Sequence, residues 1–352
     1  MYQINKNLIQ NIFRKKNLII LGGLLLLSLS LLTLFYIQIK PKKITTTCLN
    51  PECSDLVVFE RESLSKALDT VSSNEVYELI KRKYLAKTTS EQHQVAHLFG
   101  EILYQKKGID GIITCDSNFA FGCYHGFFIN AILDKGLGIV PDLDKACIKR
   151  YGRLGLGCQH GIGHGLMEYF GSKKLVQALQ VCGELDWQKP LLGCAGGVFM
   201  EYNLPLNENG SSENLLKPFN SSTPYGPCKE VPERFQQECF YNLGLWWNQV
   251  LNKDYSKMIT LCTDIRQPLL KKRCLMGVGN AAATTTSLDI SQTKLLCDQS
   301  SDKYAQSMCR SGAAWVFSTT PSKKELTHKL CDDLSLEQQE ICYDNMDLIN
   351  NI

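Results

Sequence analysis

The sequence predicts an all-α protein: an N-terminal transmembrane helix followed by a disulfide-stapled array of helical hairpins, an α-solenoid-like repeat of ~35 residues. Three observations lead to this fold class. One long apolar run without charges lies near the N-terminus, all 16 cysteines follow it, and most of these cysteines recur at a regular spacing. A hydrophobic content of 44% with 21% charged residues is typical of a chain that folds.

The apolar run covers residues 18–37, LIILGGLLLLSLSLLTLFYI, which contain no charged side chain. About 20 such residues are needed to cross a bilayer as a helix. A cleavable signal peptide is the competing interpretation, but its apolar region is usually shorter, about 7–15 residues, and ends at a small-residue cleavage site. Here Gln38 and Ile39 follow instead, which favours an uncleaved signal-anchor.

The chain therefore divides into four predicted segments: a basic tail (1–17), the transmembrane anchor (18–37), a juxtamembrane segment (38–72) and a cysteine-rich ectodomain (73–352). Basic residues flank both ends of the anchor, so they do not orient it. The cysteines do, because disulfides persist outside the reducing cytosol. We expect a single-pass membrane protein with a cytoplasmic N-terminus and a periplasmic or extracellular C-terminal domain.

The charge distribution argues against nucleic acid as a partner. Seven Lys/Arg and no acid lie in residues 1–43, which leaves the rest of the chain at −4. A nucleic-acid binder needs a basic face to neutralise phosphates. The expected partners are therefore the membrane, through its single span, and a protein or peptide.

Fourteen of the cysteines form seven pairs, six of them 11 or 12 residues apart and the first 8 apart. The pairs are Cys115 with Cys123, Cys147 with Cys158, Cys182 with Cys194, Cys228 with Cys239, Cys262 with Cys274, Cys297 with Cys309, and Cys331 with Cys342. The second cysteines recur every 33–36 residues, except for one interval of 45 that contains a polar loop insertion at 203–227. We predict pairing inside each unit, because both cysteines then flank one turn; pairing between units is the alternative.

Each unit has the pattern of a helical hairpin. In the third unit an apolar stripe leads to Cys182 from Ser172, a candidate N-cap. A glycine recurs three residues after the second cysteine, which predicts close helix contact at Gly126, Gly161, Gly197, Gly277 and Gly312, with Asn242 in the matching place of one unit. The segment 136–151 resembles a Sel1-like repeat in its Gly, Asp and Lys-Ala, which implies a similar architecture and no function.

Five of the six histidines lie between residues 93 and 164. Two pairs have i, i+4 spacing, which places both rings on one helix face, and each pair is followed by a carboxylate four residues on. The resulting His-x3-His-x3-Glu patterns are His93, His97, Glu101 and His160, His164, Glu168. His125 follows its cysteine by two residues, as His160 does, and Glu201 in the next unit is a further candidate carboxylate.

These residues predict a transition-metal site with His93, His97, His125, His160, His164, Glu101 and Glu168 as ligands or supporting groups. Imidazole and carboxylate suit zinc, iron or copper, and if the centre is catalytic, an open position would activate water or oxygen. If neighbouring helices stand 8–10 Å apart, the outer stripes are two spacings apart. Two sites, or one site of His125, His160 and His164, are therefore alternatives to a single centre.

Two other interpretations compete with a bound ion. The Cys-x2-Cys-His motif for covalent haem attachment is absent, and haem bound non-covalently by two histidines is a less favoured alternative to an ion. The alternative function is a non-enzymatic scaffold that holds a protein or peptide partner and has structural histidines. A metal site requires the histidines to converge, whereas a scaffold leaves them dispersed and solvated.

Overall fold

The computed structural model describes residues 51–152, 155–185, 193–204 and 216–346. Within these residues it contains α-helices and short 3-10 helices and no β-strand. The α-helices are α1 Pro51–Thr70, α2 Ser73–Tyr84, α3 Thr89–Lys107, α4 Gly122–Lys135, α5 Val140–Tyr151, α6 Leu156–Phe170, α7 Leu175–Cys182, α8 Cys194–Asn203, α9 Gln236–Val250, α10 Tyr255–Thr263, α11 Pro268–Thr285, α12 Ile290–Cys297, α13 Lys303–Thr319 and α14 Leu336–Met346.

Eight of these helices form a row in which each packs on the next in chain order; we call them the row helices. They are α3, α4, α6, α8, α9, α11, α13 and α14. From α4 onward each row helix contains the second cysteine of a pair. The short helices α5, α7, α10 and α12 each pack on the row helix of their own unit, so the repeat is a helical hairpin.

All seven predicted cysteine pairs are confirmed as disulfides inside a unit, and none joins two units among the described residues. The bridges join Cys115 to Cys123, Cys147 to Cys158, Cys182 to Cys194, Cys228 to Cys239, Cys262 to Cys274, Cys297 to Cys309, and Cys331 to Cys342. Each links the end of the first element of a unit to the start or middle of its row helix, with Cα atoms 5.4–5.9 Å apart.

These disulfides add stability to hairpin units whose individual cores are small. Closing a loop of about a dozen residues stabilises the fold by roughly 3 kcal/mol, because the unfolded chain loses conformational freedom. The bridge of the last unit lies at the C-terminal end of the row, where Cys342 is fully buried on α14. The last described hairpin is therefore held by a disulfide as well as by the packing of α14 on α13.

Four of the five recurring glycines lie where row helices touch backbone to backbone, as their spacing predicts; at the fifth, Gly161, an added Cβ would meet the side chain of Phe128 at 2.5 Å. A Cβ on Gly277 would stand 1.9 Å from the carbonyl oxygen of Tyr241, and one on Gly312 would stand 2.0 Å from that of Met276. No side chain fits at such distances. Glycine is required here by close approach, and a continuous core of buried residues such as Trp247 runs along the row.

Two details of the hairpins differ from the sequence prediction. The first element is a 3-10 helix rather than an α-helix in three units, over Gly108–Thr114, Gly226–Lys229 and His328–Leu330. Ser172 does not cap α7: it opens a 3-10 turn, and the N-cap residue is Lys174. The disulfide fixes only the end of the first element. The hydrogen-bond pattern within the element is not fixed, so it is an α-helix in some units and a 3-10 helix in others.

The predicted anchor at 18–37 and Cys48 lie outside the described residues. No helix among the described parts of the chain has the length and apolarity to cross a membrane. Residues Thr46–Ile352 cluster as one unit, in which α1 packs on α3. Within the predicted insertion, α8 ends at Asn203 and the described residues 216–225 contain no helix or strand.

Candidate metal centre

The five clustered histidines come from three consecutive row helices: α3 contributes two, α4 one and α6 two. The phase of α3 is set by a capping box, in which Thr88 and Glu91 bond each other's backbone N–H. The phases of α4 and α6 are set by the bridges to Cys123 and Cys158 near their first turns. Local sequence thus determines which face of each helix presents its imidazoles.

His125, His160 and His164 form a compact group. Each offers a ring nitrogen, and these three atoms all lie within 4.8 Å of one another. The Nε2 atoms of His160 and His164 are 3.1 Å apart. Two nitrogens on one ion stand about 3.0–3.4 Å apart when the metal–nitrogen bonds are 2.0–2.1 Å long, so this pair already has the spacing of neighbouring ligands.

Glu201 on α8 orients one of these rings. Its Oε2 lies 2.8 Å from Nδ1 of His164, and both side chains are 3% exposed. A neutral imidazole that donates its Nδ1–H to this carboxylate presents the Nε2 lone pair toward His160. A carboxylate behind a histidine in this way is the usual support of a metal-bound imidazole.

Several buried imidazole nitrogens have no hydrogen-bond partner among the described residues. Both ring nitrogens of His125 are in this state, as are Nε2 of His97 and Nδ1 of His160. Leaving a buried polar atom unpaired costs about 1–3 kcal/mol. A metal ion accepts the lone pairs of such nitrogens and so removes this cost.

Burial also keeps the rings in the form that binds metals. It lowers the pKa of His160 to about 4 and, together with the nearby His93, that of His97 to about 3. Burial, reinforced by the neighbouring imidazoles, holds the pKa of His125 and His164 well below the usual range. The imidazoles are therefore neutral at pH 7, and a ligand must be neutral.

His93 and His97, on α3, also lie close to His125. The ring centroid of His125 is 5.1 Å from that of His93 and 6.5 Å from that of His97, against 4.1 Å from His164 and 5.7 Å from His160. All five histidines thus form one cluster around His125.

His93 and His328 each make one further contact. Nδ1 of His93 is hydrogen-bonded to the carbonyl oxygen of Phe119 at 2.9 Å. The sixth histidine, His328, is exposed and lies against the ring of Tyr343, far along the chain from the cluster. Its isolation, which the sequence predicts, makes it a suitable control position.

The two predicted carboxylates lie elsewhere. Glu101 accepts two hydrogen bonds from Arg61, at 2.7 and 2.9 Å, and one from Gln105. Glu168 is partly buried, and burial raises the pKa of its carboxyl. Neither belongs to the three-histidine group of the described residues. Glu201, which follows no His-x3-His pattern, contacts His164.

Glycines explain why the helices that carry the histidines pack so closely on their neighbours. On α6, a Cβ at Gly163 would lie 2.0 Å from the carbonyl oxygen of Cys194 on α8, and one at Gly165 would lie 2.9 Å from that of Phe128 on α4. On the far side of α4, Gly126 would place a Cβ 1.8 Å from the carbonyl oxygen of His97. The helices therefore approach more closely than ordinary side chains allow, and the rings meet between them.

No protein-family model, no curated protein and no solved structure matches this chain. The observation that separates the two interpretations of the sequence is therefore the geometry itself. The five histidines converge, three of them buried and two partly buried in the helix row, rather than dispersed and solvated. The described residues thus contain a buried group, His125, His160 and His164, that could hold a metal ion.

Proposed function

We propose that this protein is a membrane-anchored, extracytoplasmic helical-repeat protein that binds a transition-metal ion through His125, His160 and His164. One observation supports the proposal above all others. Three buried imidazoles bring their ligand atoms into one space less than 5 Å across, and neither nitrogen of the central ring has a hydrogen-bond partner in the described part of the chain. Glu201 fixes the ring of His164 in the orientation that binding needs.

The donor set selects zinc, iron or copper rather than calcium or magnesium. Three imidazole nitrogens suit borderline d-block ions, whereas calcium and magnesium prefer oxygen ligands. Three protein ligands leave one tetrahedral position, which water or a substrate takes in catalytic sites. The same three ligands therefore serve a binding centre or, with water in the fourth position, a centre that activates it.

The proposed location follows from the disulfides and the apolar run. Seven intra-unit bridges are expected in an oxidising compartment, and residues 18–37 are long enough for the anchor. Alkaline extraction of membranes from expressing cells tests the anchor: the full chain should stay in the pellet, and a chain lacking residues 1–37 should be released. Release of the full chain would contradict it.

The metal is tested on the full-length chain, purified with its disulfides intact. We expect bound zinc, iron or copper in at least a one-to-one ratio by elemental analysis. His160→Ala removes a ligand and should lower the content at the three-histidine site to near zero. His328→Ala makes the same chemical change on an exposed ring and is the matched control.

A wild-type protein with no stoichiometric metal, before and after incubation with each ion, would contradict the proposal. So would a His160→Ala variant that retains metal as tightly as the His328→Ala control. Helix content by circular dichroism and the absence of free thiols beyond those of the wild type show whether each variant is folded.

A further inference from the structure

His125 stands between two pairs of histidines, and neither of its ring nitrogens has a hydrogen-bond partner among the residues that the structure describes. Its ring centroid lies 4.1 and 5.7 Å from those of His164 and His160 on α6, and 5.1 and 6.5 Å from those of His93 and His97 on α3. A ring that served a single ion through one nitrogen would leave its second nitrogen unpaired and buried. Its exposed fraction of 3% leaves little room for bulk solvent as the partner.

The second side, toward α3, is looser than the first, toward α6, because among the described residues only His125, His160 and His164 bring one ligand atom each within 4.8 Å of one another. A metal–nitrogen bond is about 2.0–2.1 Å, and a ring nitrogen lies ~1.1 Å from its centroid, so two imidazoles on one ion have centroids about 4.5–6.4 Å apart. The three separations here are 5.1 Å for His93–His125, 6.2 Å for His93–His97 and 6.5 Å for His97–His125. The first two lie within this range and the third lies 0.1 Å above it, while His125 and His164 on the first side, at 4.1 Å, lie below it. Rotation of the side chains is therefore part of metal binding on both sides.

The Nε2 atoms of His93 and His97 are also in a state that can bind a metal ion. The Phe119 carbonyl accepts the Nδ1–H of His93, which leaves the Nε2 lone pair free to bind a metal. Residues 119–121 hold this carbonyl in place through three successive left-handed backbone conformations, with φ of 55°, 52° and 62°. Such conformations are strained for residues with side chains and often occur at ligand sites. Nε2 of His97 is buried and accepts no hydrogen bond from the described residues.

We propose that His125 bridges two metal ions, one held with His160 and His164 and a second held with His93 and His97. This inference rests on the proposed function and extends it to a dinuclear centre for divalent d-block ions. The first ion takes one ring nitrogen of His125. The second takes the other, and the remaining N–H proton of the ring is released to solvent. The resulting imidazolate and the Glu201 carboxylate each offset one positive charge.

Stoichiometry tests the bridge, with zinc as the probe. The full-length chain with intact disulfides is saturated with Zn²⁺, freed of excess ion and analysed for zinc per chain. We expect two ions in the wild type and in His328→Ala, one in His97→Ala, one in His160→Ala and fewer than one in His125→Ala. Because His97 and His160 lie on different helices, each single variant removes one position and leaves the other intact.

Copper gives a second, independent readout. Two ions on opposite nitrogens of one imidazole lie about 6 Å apart, so Cu²⁺ bound at both positions should show magnetic coupling in electron paramagnetic resonance. His97→Ala should show the uncoupled spectrum of a single copper. This readout reports the distance between the two bound ions and not only their number.

The failures of the two proposals are distinguishable. One ion in the wild type that His97→Ala retains and His160→Ala loses would overturn the bridge and leave the three-histidine site standing. Two ions in His125→Ala would also overturn the bridge. No ion in the folded wild type would overturn both proposals.

Discussion

At the scale of single residues, the site depends on Glu201, which the sequence offers only as a further candidate beside Glu101 and Glu168. Glu101 and Glu168 follow the histidine pairs at helical spacing, yet Glu101 is bound by Arg61 from a helix 40 residues away in sequence. Glu201 contacts His164 because α8 packs on α6. The partner of a buried carboxylate depends on which residues the fold places beside it. Helical spacing alone therefore did not show that Glu201 is the carboxylate that contacts His164.

Glu201→Gln tests this contact. The amide oxygen still accepts the Nδ1–H of His164, but the charge that strengthens the hydrogen bond and the basicity of the ring is lost. We expect metal affinity to fall about 10–100-fold, as for other groups that support a metal-bound histidine, measured by competition with a chromophoric chelator. Glu184→Gln removes an equal charge at an exposed position and should bind like the wild type. Unchanged affinity in Glu201→Gln would refute the role.

At the scale of the helices, glycines set the distance between neighbours. Row helices touch at Gly163, Gly197 and Gly279, where an added Cβ would meet a carbonyl oxygen at 1.8–2.0 Å. The same contact recurs in units with histidines and in units without them. Close approach is therefore a property of the scaffold, and the metal site uses it.

Gly279→Ala separates the scaffold from the site, because α11 and α13 contain no histidine. Its Cβ would stand 1.8 Å from the carbonyl oxygen of Cys309, so the helices must move apart. We expect a loss of about 1–3 kcal/mol or more, seen as a lower urea midpoint with the disulfides intact. Gly138→Ala, where nothing lies within 4 Å of the added Cβ, is the control. Equal midpoints for the two variants would contradict the packing account.

At the scale of the whole molecule, burial of the histidine cluster links stability to pH. In the unfolded chain an imidazole has a pKa near 6.5. In the folded protein burial lowers the pKa to about 4 for His160 and about 3 for His97. Above pH 6.5 both states are neutral and stability is complete. Below it the unfolded state binds protons that the folded state does not, so stability falls until the folded pKa is reached.

We therefore expect the metal-free protein to lose stability between pH 6.5 and 5.5, a window above the usual range for carboxylates. Each buried histidine contributes up to about 1.4 kcal/mol per pH unit. Urea midpoints at pH 7.5, 6.5 and 5.5 measure the effect, and saturation with Zn²⁺ should reduce it, because bound ions hold the imidazoles unprotonated. A midpoint that does not change between pH 6.5 and 5.5 would show that the histidines are solvated.

The sequence by itself determined the all-α repeat, the pairing of fourteen cysteines and the glycine contacts, because each follows from spacing along the chain. It also selected the five histidines that cluster, since i, i+4 spacing and register across units are local properties. Tertiary structure decided what spacing cannot encode: how near the helices approach, that His125 lies at the centre, and that Glu201 rather than Glu101 reaches a ring. These depend on contacts between residues about 30–40 positions apart, which exist only once the helices are packed.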